Sequence, residues 1–262
     1  MADPGTSTFI SNDSDASSRR VRLRPKPAAV GTIYGSGLIN PLRNTNGMVW
    51  MYQPTITYQQ GTTYTNIDLV HANTELYAYT RTNALKLTVD GKFSVQNQTE
   101  GVYALACIHF LRTVTKMWFG QNDPNAGTPP PVLLFDAYGD YMFNQLPVIV
   151  NDFTIGLPDD VDYVPISQSY ISTQMPSTTS GGYNGIPATT ISSGTSAQSI
   201  PTTANTSALQ SGSNLSGNYV WLPAVFNITV SMTVQQTPAN LRTVFNLDSF
   251  RSGQLMQQGG WI

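Results

Sequence analysis

Apolar and polar positions alternate along several stretches of this chain, and one long stretch breaks the alternation. Over residues 85–96 (LKLTVDGKFSVQ), Leu85, Leu87, Val89, Phe93 and Val95 are all odd-numbered. They share one face of a single strand if the strand runs through Gly91. Asp90-Gly91 has the composition of a two-residue hairpin turn. That turn would pair Val89 with Lys92 and Leu87 with Ser94, splitting the apolar set over two faces. The spacing therefore predicts one long strand bent at Gly91. Phe226, Ile228, Val230, Met232 and Val234 alternate over a second strongly β segment. Over 147–157, Ile149, Phe153, Ile155 and Leu157 define one side of a third strand, closed by Pro158-Asp159-Asp160. Residues 132–138 and 141–143 read as strands around Gly139-Asp140. Residues 40–58 hold an Asn46-Gly47 turn and a β-rich run interrupted at Pro54, and 62–69 reads as a weaker strand.

The break in alternation is 97–120, NQTEGVYALACIHFLRTVTKMWFG, the one convincing helix. Asn97 with Glu100, or Thr99 ahead of Glu100, supplies an N-terminal cap, and the acid suits the helix dipole. Arg112 and Lys116 lie in the last turns, and Gly120 is the expected stop. Val102, Leu105, Ala106 and His109 fall on one face; Tyr103, Cys107, Phe110 and Val114 fall on another. A helix apolar most of the way round is buried on more than one side. It is shorter than the ~20 apolar residues of a membrane span.

Three stretches lack periodicity. Residues 1 to about 30 read as a flexible arm that turns basic at Arg19, Arg20, Arg22, Arg24 and Lys26, with Pro25 and Pro27 keeping its end extended. Residues 167–218 are rich in Ser, Thr and Gly and carry no charge, which reads as an inserted surface arm. The tail after Arg242 ends in Trp261-Ile262, a terminus suited to docking. Together these predict an antiparallel β domain with one inserted helix, an arm at each end and a long insertion.

Composition sharpens this. Charged residues make up 11% of the 262 residues, against roughly 25% in an ordinary soluble domain. Fewer charges make surface cheaper to desolvate, which suits a protein that assembles, or equally a β protein with a bland surface. The net charge of −2 gives no general case for nucleic-acid binding. No Lys or Arg occurs between Lys116 and Arg242, where Asp123, Asp136, Asp140, Asp152, Asp159, Asp160 and Asp162 lie. The basic arm has no interleaved aromatics for stacking bases, so a solvated tail or a strap onto an acidic neighbour is favoured over nucleic acid. The N-terminus lacks a basic region followed by an apolar one, so it is not expected to be a signal peptide.

Candidate chemistry is sparse. Cys107, the single cysteine, sits in the apolar helix and is expected to be a buried, inert thiol. His71 and His109 are the only histidines, and His109 reads as a core residue. Cys107 and His109 are two apart on a helix, so their side chains diverge. Asp159, Asp160 and Asp162 could hold calcium but lack the EF-hand spacing, and a solvated turn is the simpler reading. Asp136 and Asp140 flank a glycine turn and make a poor glycosidase pair. No zinc, phosphate-loop or metalloprotease motif occurs. No cofactor and no enzymatic activity are expected.

The block GVYALACIHFLRTVTKMWFGQNDPNAGTPPPVLLFDAYGDYMFNQLPVIVNDFTIGLPDDVDYV, with NPLRNTNGMVWMYQPTI before it and LDSFRSG…GGWI after it, resembles the baseplate tail-tube initiator and tube-junction proteins of contractile-tailed bacteriophages. The similarity covers most of the chain from about Gly37; the basic arm and the long insertion depart from it. The resemblance implies a tail-tube fold of two packed antiparallel sheets plus a helix. Six copies would form a homohexameric ring whose inner sheets close into a continuous barrel around a lumen that DNA traverses without specific binding. On that reading 1–36 is the N-terminal arm and 37–166 the first part of the domain, with its helix at about 99–117. Residues 167–218 are the insertion, 219–238 the final strand region and 239–262 the C-terminal arm. The implied role is a virion protein of the tail baseplate, assembled in the host cytoplasm, that links the hub to the tube and templates tube polymerisation. Its implied partners are the hub protein, the tube protein or a second initiator ring, with the tape measure and wedge proteins as further contacts and no stable membrane binding. Tyr103, Phe110 and Val114 become interface candidates, with Arg19, Arg20, Arg22, Arg24, Trp261 and Ile262 as straps. The aspartate-rich, base-free region becomes a candidate lumen lining. The alternative within the family is the main tube subunit, generally smaller and lacking the GTPPPVL and GGWI segments. A β-sandwich carbohydrate-binding module is the alternative of another class, with Tyr170 and Tyr183 as its aromatic candidates.

Overall fold

The computed structural model describes residues 20–34, 37–120, 125–167, 170–171 and 219–262. The chain is mainly β and its sheets are antiparallel. Seven strands form the main sheet: β1 (Arg22–Pro25), β2 (Met48–Val49), β3 (Thr55–Gln59), β6 (Lys86–Ser94), β7 (Leu133–Ala137), β8 (Phe143–Gly156) and β11 (Val225–Val234), in the order β2-β1-β7-β8-β11-β6-β3. Two pairs stand apart: β4 (Thr62–Ile67) with β5 (Leu76–Thr82), and β9 (Tyr163–Ser167) with β10 (Tyr219–Pro223). The expected pair of large packed sheets is thus one large sheet and two small ones.

The sheet is curled but not closed. Laid flat, seven strands would hold their edges about 29 Å apart at a spacing near 4.8 Å. Yet β2 and β3, the two edges, are joined by residues 50–54 alone, a span of at most about 22 Å. The sheet must bend to bring them within reach. Tyr58 of β3 accordingly meets Phe143 of β8, ring centroids 6.0 Å apart, and Trp50 lies against Gly91 of β6. The β2 and β3 edges are not paired with each other, so no barrel closes.

β6 is one continuous strand, bonded to β11 along one side and β3 along the other, with Gly91 opposite Ile228. No hairpin forms at Asp90-Gly91. Gly91 is required for a different reason: a Cβ there would fall inside the Trp50 ring, 2.8 Å from Nε1, so Trp50 packs directly on the strand's backbone. Leu87, Val89 and Phe93 of β6 oppose Met232, Val230 and Phe226 of β11, all buried in the core, and the Phe93 and Phe226 rings stack at 5.7 Å.

The long helix, α3 (Gln98–Val114), is capped as its sequence suggests. Asn97 Oδ1 accepts from the Glu100 N–H at 2.9 Å, and Glu100 Oε2 accepts from the Gln96 N–H. It ends at Thr115 rather than Gly120, because Trp118 leaves to exchange backbone bonds with Gly127 and Thr128. Val102, Ala104, Ala106, Cys107, Ile108, Phe110, Leu111 and Val114 are all buried. Of the two small sheets, β9 packs on α3 through Ile166, against Gly101, while β4 and β5 are exposed along most of their length.

Several expectations are corrected. Residues 20–34 are not a flexible arm. Val21 and Leu23 point into the core while Arg22 and Arg24 point away, so β1 is an interior strand between β2 and β7. α1 (Val30–Tyr34) and α2 (Pro41–Asn44) follow, and α4 (Pro238–Thr243), α5 (Leu247–Arg251) and α6 (Gln254–Gln258) make up the C-terminal segment. The chain therefore has more than one helix. Residues 143–156 are one strand, and its parity switches where the β8–β11 register slips at Ser231/Met232, leaving Asn151 as the extra residue. Val148 and Val150 face inward before the bulge, and Phe153 and Ile155 after it, so Ile149 does not share their side. The insertion's stems, β9 and β10, pair Ser167 with Tyr219; residues 172–218 lie outside the described residues.

Candidate assembly surface

The face of the sheet turned away from the core is a wall of short polar side chains. Cross-strand registers align them in rows over four strands. Thr57, Thr88, Ser231 and Asp152 form one row; Thr55, Asp90, Thr229 and Thr154 form the next; Gln59, Lys86 and Thr233 form a third that ends on the apolar Ile149. Thr229 Oγ1 donates to Asp90 Oδ1 at 2.8 Å, and Asn151 Nδ2 donates to Thr233 Oγ1 at 2.7 Å. On these four strands the charges, Lys86, Lys92, Asp90 and Asp152, cancel by sign; Arg22 and the Arg24–Asp136 pair lie on the same side of the neighbouring β1 and β7. Threonine suits both demands on such a surface, being β-branched for the strand and hydroxyl-bearing for water. The wall ends at β3, an edge strand whose outer side pairs with no other described strand.

Beyond β3 and β6 the same two strands continue as β4 and β5, a two-stranded ribbon that projects from the sheet with both faces exposed. Tyr64 opposes Tyr79 and Asn66 opposes Tyr77 on one face; Ile67 opposes Leu76 on the other. Tyr64 and Tyr79 meet edge to face at 5.9 Å. Leu69 and Val70 sit at the tip, and Val70 is 87% exposed. The sequence reading missed β5, since a strand exposed on both faces shows no apolar alternation. Its Tyr and Thr content was the available signal. A second apolar patch lies on the C-terminal segment, where Leu241, Val244, Phe245 and Leu247 are exposed.

The residues singled out from sequence fall in different places. Phe110 is 0% and Val114 1% exposed, enclosed by the chain's own core, so neither has surface left for a neighbour in this conformation. Tyr103 is half-buried; its hydroxyl accepts from the Val49 N–H at 2.8 Å and donates to the Val49 carbonyl, clamping α3 to β2. Arg24 Nε donates to Asp136 Oδ2 at 2.6 Å, and Asp136 Oδ1 accepts from the Gln145 N–H. Arg20 and Arg22 are half-buried, with Arg22 in the ladder between Val49 and Asp136; Arg19 lies outside the described residues. Trp261 is 9% exposed, packed on Phe245 at 5.3 Å, and Ile262 packs against the core. Gly260 N–H donates to the Asn144 carbonyl at 2.7 Å and Asn144 Nδ2 to the Gln257 carbonyl, so the terminus is tied to β8 of its own chain. Of the aspartates, Asp152 lies on the polar wall, Asp136 holds Arg24, Asp140, Asp159 and Asp160 occupy exposed turns and bends, and Asp162 is exposed just before β9. Asp123 is outside the described residues.

Burial pushes the Cys107 thiol well above its ordinary range. Burial, then the nearby Arg112, holds His109 below its usual value. Among the described residues no group of three His, Cys, Asp or Glu side chains is placed to hold a metal ion, and no described helix is long and apolar enough to cross a membrane. Tyr170 is half-buried, its hydroxyl 2.7 Å from Thr99 Oγ1; Tyr183 is outside the described residues. No protein-family model matches this chain, and none of the curated proteins compared with it matches either. The resemblance to the baseplate family therefore stands on the sequence motifs themselves.

Proposed function

We propose that this chain is a structural, non-enzymatic protein of a contractile phage tail baseplate. Six copies form a ring that joins the hub to the tail tube and templates its polymerisation. The observation that carries the reading is the curled, open sheet, with a charge-balanced hydroxyl wall ending at an unpaired edge. Edge pairing between subunits gives β3 a strand partner on its outer side and extends the wall from copy to copy. A duplex carries one negative charge per ~1.7 Å of axis. A wall of Thr, Ser and Asn with cancelling charges neither grips such a polyanion nor repels it strongly. The motif resemblance supplies the virion context.

The test is co-assembly, followed by negative-stain microscopy of the purified chain alone, with hub protein, and with hub and tube proteins. Rings that need the hub, and tube growth that needs the rings, are the expected results. Unlimited polymerisation of the chain by itself makes it the main tube subunit instead. A glycan-binding reading draws on the exposed Tyr64, Tyr77 and Tyr79 strip; binding on a glycan array that Tyr79→Ala abolishes would favour it.

A further inference from the structure

The projecting ribbon carries β3 and β6 beyond the main sheet and leaves apolar side chains exposed along it and at its end. Only two strands wide, it exposes tyrosines on one face, Ile67 and Leu76 on the other, and Leu69 and Val70 at its end. A glycan stacked on the tyrosines would leave Leu69 and Val70 at the end exposed. The same chain displays a second apolar patch on its C-terminal helices, again uncovered. The charges around the two patches are opposite in sign. Asp68 and Glu75 flank the ribbon's tip, while Arg242 and Arg251 flank the helical patch, with Asp248 at 3.9 Å from Arg251 offsetting part of that charge.

We propose that the ribbon of one copy docks on the C-terminal helices of a second copy, seating Leu69 and Val70 against Leu241, Val244, Phe245 and Leu247. The two surfaces differ, so the contact is head-to-tail: each copy gives a ribbon and receives one, and repetition builds a ring or a stack. Ring formation through β3 edges does not require this contact, and this contact does not require that ring.

The test uses two variants at exposed positions, Val70→Asp on the ribbon and Leu247→Asp on the patch, with thermal melts to confirm folding. Sedimentation velocity is run over a concentration series. The expected result is self-association of the parent chain and its loss in both variants. Mixing the two variants should restore a dimer and nothing larger, since each dimer has one intact ribbon on one intact patch. As a second route, Glu75→Lys and Arg242→Glu should each weaken association and together restore it. Association unchanged in the variants, no dimer on mixing, or a parent chain monomeric throughout overturns the proposal. Association lost in Val70→Asp but not in Leu247→Asp assigns the ribbon another occupant, and overturns it too. Hub-dependent six-fold rings test the baseplate reading separately: their absence from the parent chain would sink that reading and leave this contact standing.

Discussion

Gly101 is the position where two opposing effects can be weighed. It lies in the first turns of α3, so replacing it with alanine should favour the helix by about 1 kcal/mol, mostly through the unfolded chain's entropy. The new Cβ, however, would enter the Ile166 side chain, 2.7 Å from Cγ1 and closer still to Cδ1, with Val95 Cγ1 at 3.3 Å behind it. Ile166 is 0% exposed and β-branched, so it can neither swing into solvent nor change rotamer freely. Overpacking of this kind costs about 1–3 kcal/mol. The clash wins, and Gly101→Ala should destabilise the chain by about 1 kcal/mol, lowering Tm by about 2–4 °C. The cause is checked by a double-mutant cycle in urea with Ile166→Ala. That substitution alone leaves a cavity and should cost about 2–5 kcal/mol. With Gly101→Ala present it should cost at least about 1 kcal/mol less, because the new methyl occupies part of the vacated space. Additive effects, or a Gly101→Ala chain more stable than the parent, would refute the close packing of β9 on α3.

Four further outcomes follow from the same core. Phe110→Ala should cost about 3–5 kcal/mol in urea melts, as for a fully enclosed ring; a change under about 1 kcal/mol would place Phe110 at a surface. Tyr34 stacks on Phe110 at 6.2 Å, and its hydroxyl is buried without a hydrogen-bond partner among the described residues. Tyr34→Phe should therefore be neutral or stabilising by up to about 1 kcal/mol, and a clear loss would show that the hydroxyl has a partner. Cys107 should react with a thiol reagent only as fast as the chain unfolds; rapid labelling in native buffer contradicts its burial. Burial and Arg112 hold His109 below its usual value in the fold, so the unfolded chain binds its proton more readily. Its contribution to stability is complete above the ordinary histidine value near 6.5 and is lost as pH falls through the lower folded value. The drop in urea midpoint from about pH 7.5 to about pH 5.5 should be smaller in His109→Gln, and an equal drop would assign the acid sensitivity elsewhere.

What was legible in the sequence was whatever one buried face dictates. The odd-numbered apolar set of β6, the alternation of β11 and the Asn97–Glu100 cap all reappear in the structure, because each is decided within a few residues. What escaped was decided by partners distant in the chain. Arg22 and Arg24 gave β1 the look of a basic tail, yet Val21 and Leu23 alternate with them, and Asp136, 112 residues away, receives Arg24. The bulge at Asn151 exists only against β11, so Ile149 read as a partner of Phe153 when it is not. The faces of α3 could not be ranked from periodicity, since β2, β9 and the main sheet bury it from several sides. Of the surfaces offered for assembly, the polar wall was implicit in the residues between the apolar ones. The ribbon and the C-terminal patch were not, because exposed apolar residues follow no period.

The most direct measurement is mass photometry of the full chain mixed with its hub protein, with two-dimensional class averages of the same sample. Particles carrying six copies of the 28.5 kDa chain, six-fold in projection around an open centre, are the expected result. A chain that stays monomeric with hub and tube proteins present, or closes into some other number, contradicts the ring.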